Sequence, residues 1–257
     1  MKAFLETAEA ALLLSRATIK RYFRQRISVD NKADDSPVTV ADRQTEQLMR
    51  DEIAKRHPEH GILGEEHGTL HSDSAWQWVL DPIDGTKSFI SGMPTFGTLI
   101  GLTNTNEPQL GIIDMPMLDE RWVGIAGQET TYNNKVCKVS NVTKLSDALL
   151  YCTEPGMYTA QQWPTFEKIC KQVQLRRYGG DCYNYGLLAS GHIDLVVEGD
   201  LKYYDITALV PVIEGAGGVI TDWRGNALRQ GWDGLVVAAA TRELHQAALD
   251  ILADYEA

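Results

Sequence analysis

Four cysteines in 257 residues, with no C-x-x-C pair among them, leave no basis for a disulfide framework or a thiolate metal site. Cys137, Cys152, Cys170 and Cys182 are widely scattered, and in a chain of this size they read as buried, reduced thiols of a cytosolic protein. Positive charge is scarce too: 24 Lys and Arg stand against 35 Asp and Glu, a net charge of -11. That balance argues against a nucleic-acid binder, which normally carries a basic patch. It also means that an anionic substrate needs positive charge from elsewhere. Long apolar runs are missing. Glu6, Glu9 and Arg16 flank the apolar patch at 11–14 too closely for a signal peptide. The uncharged stretch 88–106 is interrupted by Gly, Asn and Pro94 and does not read as a membrane span. No repeat or low-complexity tract stands out, and a cytoplasmic location is expected.

What remains is an ordinary globular composition, 44% hydrophobic and 23% charged, long enough for one large domain or two of usual size. Apolar residues at helical spacing predict a helix over 2–26 and a second from Thr39 to Pro58. The period then changes. Segments 76–80, 95–102, 110–114 and 121–126 read as strands of an antiparallel meander, separated by Pro, Gly and Asn turns. From 141 onward strands and helices alternate: strands at 148–152, 175–178, 193–198, 219–221 and 235–239, and helices at 161–173, 183–190 and 205–214. Thr241 caps a last helix ending near Tyr255. The expected fold is an α+β N-terminal half, 1–138, and an α/β C-terminal half, 139–257, packed as one unit.

The segment W-V-L-D-P-I-D-G-T, 78–86, is unusual because a strand-like run ends in two acids, Asp81 and Asp84. Asp before Pro and Asp before Gly are common turn formers, which is the bland reading. Two charges at the end of an apolar strand are nonetheless costly unless bonded or neutralised by a cation. Mg²⁺ suits the place, since it prefers hard oxygen ligands, and the Ile83 carbonyl between the two acids is a further oxygen. Gly85 lets the backbone approach a ligand closely, and Thr86, if it opens a helical turn, helps hold a phosphate at a helix N-terminus. Glu65, in G-I-L-G-E-E, also follows a short apolar run. Asp42 lies three residues after Thr39, so half of a helix cap is an equal reading of it. Asp205 sits where any helix start favours an acid.

The segments V-T-V-A-D-R-Q-T-E, G-I-L-G-E-E, W-V-L-D-P-I-D-G-T and Y-Y-D-I-T-A-L…G-A-G-G, in that order over residues 32–223, resemble the signature of the inositol monophosphatase superfamily. Tyr204 departs from it, standing where the family often has Trp. K-S-F-I-S-G-M-P-T-F-G and G-G-D-C-Y are most similar to its histidinol-phosphatase branch. The resemblance implies a layered αβαβα sandwich and a phosphoric monoester hydrolase that acts on L-histidinol phosphate, the alternative being inositol monophosphate or a related ester. It implies two or three Mg²⁺ ions on Glu65, Asp81, Ile83, Asp84 and Asp205, and catalysis by Thr86 with Asp42 or Glu65. It further implies phosphate contact at Gly85 and Thr86, and alcohol recognition at Asp181 and Glu198. Lithium sensitivity and a homodimer belong to the same expectation.

Two rival chemistries are weaker. His57, His60, His67 and His71 crowd around Glu65, but Gly68 interrupts them and no H-E-x-x-H is present for zinc. G-A-G-G at 215–218 follows a helix and precedes a strand, the reverse of what a dinucleotide loop needs, so it reads as a helix end.

Overall fold

The first apolar stripe forms α1 (Lys2–Tyr22) and buries Ala8, Ala11, Leu12 and Ile19. It stops four residues short of expectation because Arg24 takes a left-handed φ of 59° and its guanidinium donates to the Gly92 carbonyl at 3.0 and 3.1 Å. A tertiary contact outweighs local periodicity there. The computed structural model describes residues 1–31 and 37–255. Residues 32–36, where the family resemblance begins, lie outside the described residues. Strands β1 (Val29–Asn31) and β2 (Pro37–Thr39) pair antiparallel and deliver the chain to α2 (Val40–Arg56), with Thr39 as N-cap.

Next come β3 (Gly61–Gly64), β4 (Gly68–Leu70) and β5 (Trp76–Asp84), then α3 (Thr86–Ser91). After them β6 (Gly97–Asn104), β7 (Glu107–Met115), β8 (Glu120–Ile125), β9 (Thr131–Tyr132) and β10 (Lys135–Val136) run back and forth. The eight strands order as β10-β9-β8-β7-β6-β5-β3-β4. From β5 to β8 this is the expected antiparallel meander, which the unexpected β9 and β10 extend, and β3 joins β5 in parallel. Pleat alternation then sorts the side chains. Trp78, Leu80, Ile100 and Ile112 face α1 and α2, while Val79, Leu99 and Ile113 face the opposite layer.

That opposite layer belongs to the second half. In chain order it contains β11 (Leu149–Cys152), α4 (Trp163–Cys170), β12 (Leu175–Tyr178), α5 (Tyr183–Ala189), β13 (Leu195–Glu198), α6 (Tyr203–Ile206), α7 (Leu209–Gly215), β14 (Val219–Thr221), β15 (Val236–Ala239) and α8 (Arg242–Leu252). Its sheet orders as β12-β11-β13-β15-β14 and is mixed. Helices α5 and α7 fill the space between the sheets, and α4 and α8 cover the outer face of the second one. The result is the layered αβαβα sandwich.

Two helices differ from expectation for one reason, proline. Pro164 fixes the first turn of α4, so the helix starts at Trp163 rather than 161. Pro211 has no N–H to return to the Thr207 carbonyl, and the single helix expected over 205–214 becomes α6 and α7. The final helix ends at Leu252, before Tyr255, while Thr241 caps it as expected, accepting from the Leu244 amide at 3.2 Å.

Side chains of both halves share one core, and at two glycines backbone meets backbone. A Cβ on Gly111 of β7 would stand 1.9 Å from the Ala208 carbonyl oxygen, and one on Gly124 of β8 would stand 2.4 Å from the Pro211 carbonyl. Only glycine allows this approach.

Candidate active site

Residues three apart on a regular strand point to opposite faces, so Asp81 and Asp84 would normally be separated. Between them the register with β6 slips: Asp81 faces Leu99 and Asp84 faces Gly97, leaving one extra residue on β5. This bulge is held by Thr98, whose hydroxyl donates to the Pro82 carbonyl at 2.8 Å, and by the Ile83 amide, which donates to Asp81 Oδ1 at 3.0 Å. It turns both carboxylates into one cavity. The opening stretch of α6 supplies Asp205, which accepts from the Lys202 amide at 2.7 Å. Ligand oxygens of Asp81, Asp84 and Asp205 all lie within 4.8 Å of one another, the one such cluster of potential metal ligands among the described residues.

Glu65 leaves β3 beside this cluster, its amide donating to the Leu80 carbonyl at 3.2 Å. Asp81, Glu65, Asp84, Asp205 and Ile83 line a cavity of about 520 Å³ together with Gly85, Thr86 and Lys87. Burial raises every one of the three clustered acids. Asp84 is pushed up to about 7, first by burial and then by the charge of Asp181. Asp81 is raised well above 3.8 by burial and then by Glu65, and Asp205 by burial and then by Asp84. The opposed charges therefore need protons or a cation. Hard oxygens from three carboxylates, with a carbonyl alongside, form the donor set a small divalent ion prefers, and the residues fit such an ion.

Asp42 serves both readings. Its Oδ2 accepts from the Thr39 amide at 2.8 Å and hydroxyl at 2.5 Å, completing the α2 cap. Its Oδ1 receives the Thr86 hydroxyl at 3.4 Å, and the same hydroxyl lies 3.2 Å from the Ile83 carbonyl. Burial raises Asp42, against the pull of the Thr39 bonds. Thr86 opens α3 behind Gly85, which has φ 88°. Asp181 closes over Gly85, with an oxygen 2.7 Å from where a Cβ would be, so side chain and conformation both demand glycine. Asp181 itself is left-handed at φ 48° and accepts from Ser88 Oγ at 2.9 Å. The next amide, of Cys182, donates to Asp84 Oδ2 at 2.5 Å.

Glu198 ends β13 in a small recess of about 60 Å³ that it shares with Asp84 and Asp181. It is not a free acid. Oε1 accepts from the Thr153 amide and hydroxyl at 2.8 and 2.7 Å, and Oε2 from Tyr185 at 2.7 Å. Burial nevertheless raises it to about 7.

The sequence reading missed Glu46 and Arg50. Glu46 is fully buried and accepts from Arg50 Nε at 2.7 Å, from the Glu66 amide at 2.7 Å and from the His67 amide at 3.1 Å. It thereby anchors to α2 the turn that carries Glu65. The spacing 42, 46, 50 was a usable signal, since i, i+4 and i+8 share a helix face. Glu46→Gln should leave Arg50 buried without its countercharge and lower unfolding stability by about 3–5 kcal/mol. Urea denaturation checks this, and a midpoint unchanged from wild type would refute it.

The histidines do not converge on an ion. His57 and His60 stack with ring centroids 4.6 Å apart, and His60 Nδ1 accepts the Trp78 indole N–H at 3.1 Å. They are packing partners of Phe4, Trp76 and Trp78. G-A-G-G ends α7 as a cap, the Gly218 amide donating to the Ile213 carbonyl at 3.0 Å.

Residues 1–257 match the inositol monophosphatase family. The chain is 45% identical over 260 residues to the bifunctional phosphatase IMPL2, chloroplastic, of Arabidopsis thaliana, covering 97% of this chain and 75% of that protein. It is 34% identical to a histidinol-phosphatase of Chlorobaculum parvum, covering 91% and 90%. An inositol monophosphatase structure from Zymomonas mobilis superposes with a TM-score of 0.90 at 42% identity, covering 98% of each chain. The chain belongs to the inositol monophosphatase family, whose members are phosphoric monoester hydrolases.

Proposed function

We propose that the chain is a Mg²⁺-dependent phosphatase that hydrolyses L-histidinol phosphate to L-histidinol and phosphate, a step of histidine biosynthesis. The observation that carries the phosphatase reading is the convergence of Asp81, Asp84 and Asp205 at a cavity that also receives Glu65, Gly85 and Thr86. With the Ile83 carbonyl and Glu65 these acids would hold two or three Mg²⁺ ions. When bound, the ions supply Lewis acidity toward the phosphoryl oxygens and offset charge on the leaving alkoxide. Thr86 gives its proton toward Asp42, which leaves its oxygen lone pairs free to orient an attacking water, and Asp42 or Glu65 takes the proton that water releases. Gly85 and the first-turn amides of α3 hold phosphate oxygens. The acid-rich cavity, Asp181 above all, favours a cationic alcohol, and likeness to a histidinol-phosphatase supports the same substrate. Inositol monophosphate is the second reading, favoured by the 42% identity with the Zymomonas mobilis structure. On either reading lithium inhibition and a cytoplasmic homodimer are part of the proposal; no described helix is long and apolar enough to cross a membrane.

Exhaustive chelation should abolish hydrolysis of p-nitrophenyl phosphate, and Mg²⁺ should restore it. Ca²⁺ should inhibit, being larger and more loosely coordinated. Full turnover in a chelated, metal-analysed sample would overturn the proposed chemistry.

A further inference from the structure

The cavity mouth carries a second pattern of charge. Its described lining has six acids but only two cations, Lys87 and Lys202, and no arginine. Each cation is paired at the rim: Lys202 with Asp200 at 2.7 Å, and Lys87 with Glu154. The first pair is local, two residues apart in sequence. The second is not. Lys87 stands on the first turn of α3, next to Gly85 and Thr86, whereas Glu154 comes from the other half, just after β11. The pair thus joins the two halves at the mouth and is felt by Asp181, whose pKa burial raises first and the Ser88 bond lowers, Glu154 then raising it and Lys87 lowering it.

Glu154 is a placed residue rather than a loose one. Thr153, its neighbour, is pinned through amide and hydroxyl by the buried Glu198, and the 3-10 turn at Pro155–Met157 begins directly after it. The Lys87 side chain, by contrast, is 67% exposed and that of Glu154 44%. An ion pair this exposed adds little to stability and is easily exchanged for another.

We propose that Lys87 and Glu154 are an exchangeable charge pair that selects phosphate esters bearing an ammonium group on the alcohol. On binding, Lys87 turns to the phosphate beside Gly85 and Thr86, and Glu154 takes the substrate ammonium. A zwitterionic ester replaces both partners of the pair. An ester with a neutral alcohol replaces only one and leaves Glu154 without a cation. This inference rests on the phosphatase reading of the same cavity and assigns its specificity to the rim. It also gives the fixed Glu198 a role: a positioning residue that acts through Thr153.

The test uses the full-length Mg²⁺-loaded enzyme with L-histidinol phosphate and its deamino counterpart, which differ only in the amine. Glu154→Gln should lower the ratio of kcat/KM for the two esters about tenfold, through KM for the amine ester. The reversed pair, Lys87→Glu with Glu154→Lys, should regain the ion pair yet keep the low ratio. Equal change on both esters in Glu154→Gln would overturn the assignment. So would a reversed pair that restores the wild-type ratio, because a merely structural bridge predicts that rescue. Wild-type protein that hydrolyses neither ester, nor p-nitrophenyl phosphate, would instead remove the phosphatase reading underneath.

Discussion

Asp84→Asn should fold normally and lose phosphatase turnover by about a thousandfold. Asp84 is turned inward by the bulge in β5 and held by the Cys182 amide. Asn keeps the shape and removes the charge that an ion needs. The same change should stabilise the metal-free protein. An acid whose pKa rises on folding, here from 3.8 to about 7, contributes stability that is complete below about pH 4 and lost as pH rises through about 7. Wild-type protein in EDTA should therefore show a falling Tm between about pH 4 and about pH 7, and Asp84→Asn a flatter profile. Saturating Mg²⁺ should reverse the order, because only the intact acid cluster gains binding free energy. Near-normal turnover in the variant, or identical pH profiles in EDTA, would mean that Asp84 serves some other purpose.

L-histidinol phosphate should exceed myo-inositol monophosphate in kcat/KM by about two to four powers of ten, at roughly 1.5–3 kcal/mol for each charge-assisted bond and 1.4 kcal/mol per tenfold change. Both esters present the same phosphate, so the difference must arise at the alcohol. Histidinol offers an ammonium and an imidazole that titrates near neutrality, and inositol only neutral hydroxyls. Asp181 is the acid to vary. Glu198 already accepts from Thr153 and Tyr185, so its replacement would disturb the fold of the rim as well as the substrate. Asp181→Asn should damage histidinol phosphate turnover more than that of p-nitrophenyl phosphate. Comparable efficiency of wild-type enzyme on the two natural esters would remove the substrate assignment and leave the phosphatase standing.

The acids at the end of β5 were legible because an apolar run that stops on two carboxylates is anomalous within one short window. Asp42 was legible as a cap and, through the family resemblance, as a candidate catalytic partner; in the structure one oxygen meets Thr39 and the other the Thr86 hydroxyl. The partners that restrain these groups were not legible. Thr153 meets Glu198 across 45 residues and Cys182 meets Asp84 across 98, distances that no local period encodes. The same limit explains the strands that went unread. β1, β2 and β4 have three residues each and β9 and β10 two, too few to show alternation, and they exist because a neighbouring strand completes them. Pro211 is the opposite case. Its effect is local and was open to prediction, but an apolar pattern on both sides disguised the break.

The glycines at 111 and 124 also fix where the acid cluster stands. Asp205 reaches Asp81 and Asp84 from the other half of the chain, at the head of the same α6–α7 segment whose backbone lies on Gly111 and Gly124. At these two points backbone meets backbone, within a layer otherwise packed by side chains of both halves. The acid cluster is thus built across a joint in which two backbone contacts leave no room for a side chain. A methyl group at Gly111 would act as a shim, tilting Asp205 away from its partners. Divalent-ion affinity would then weaken through a sheet residue that touches no ligand at all.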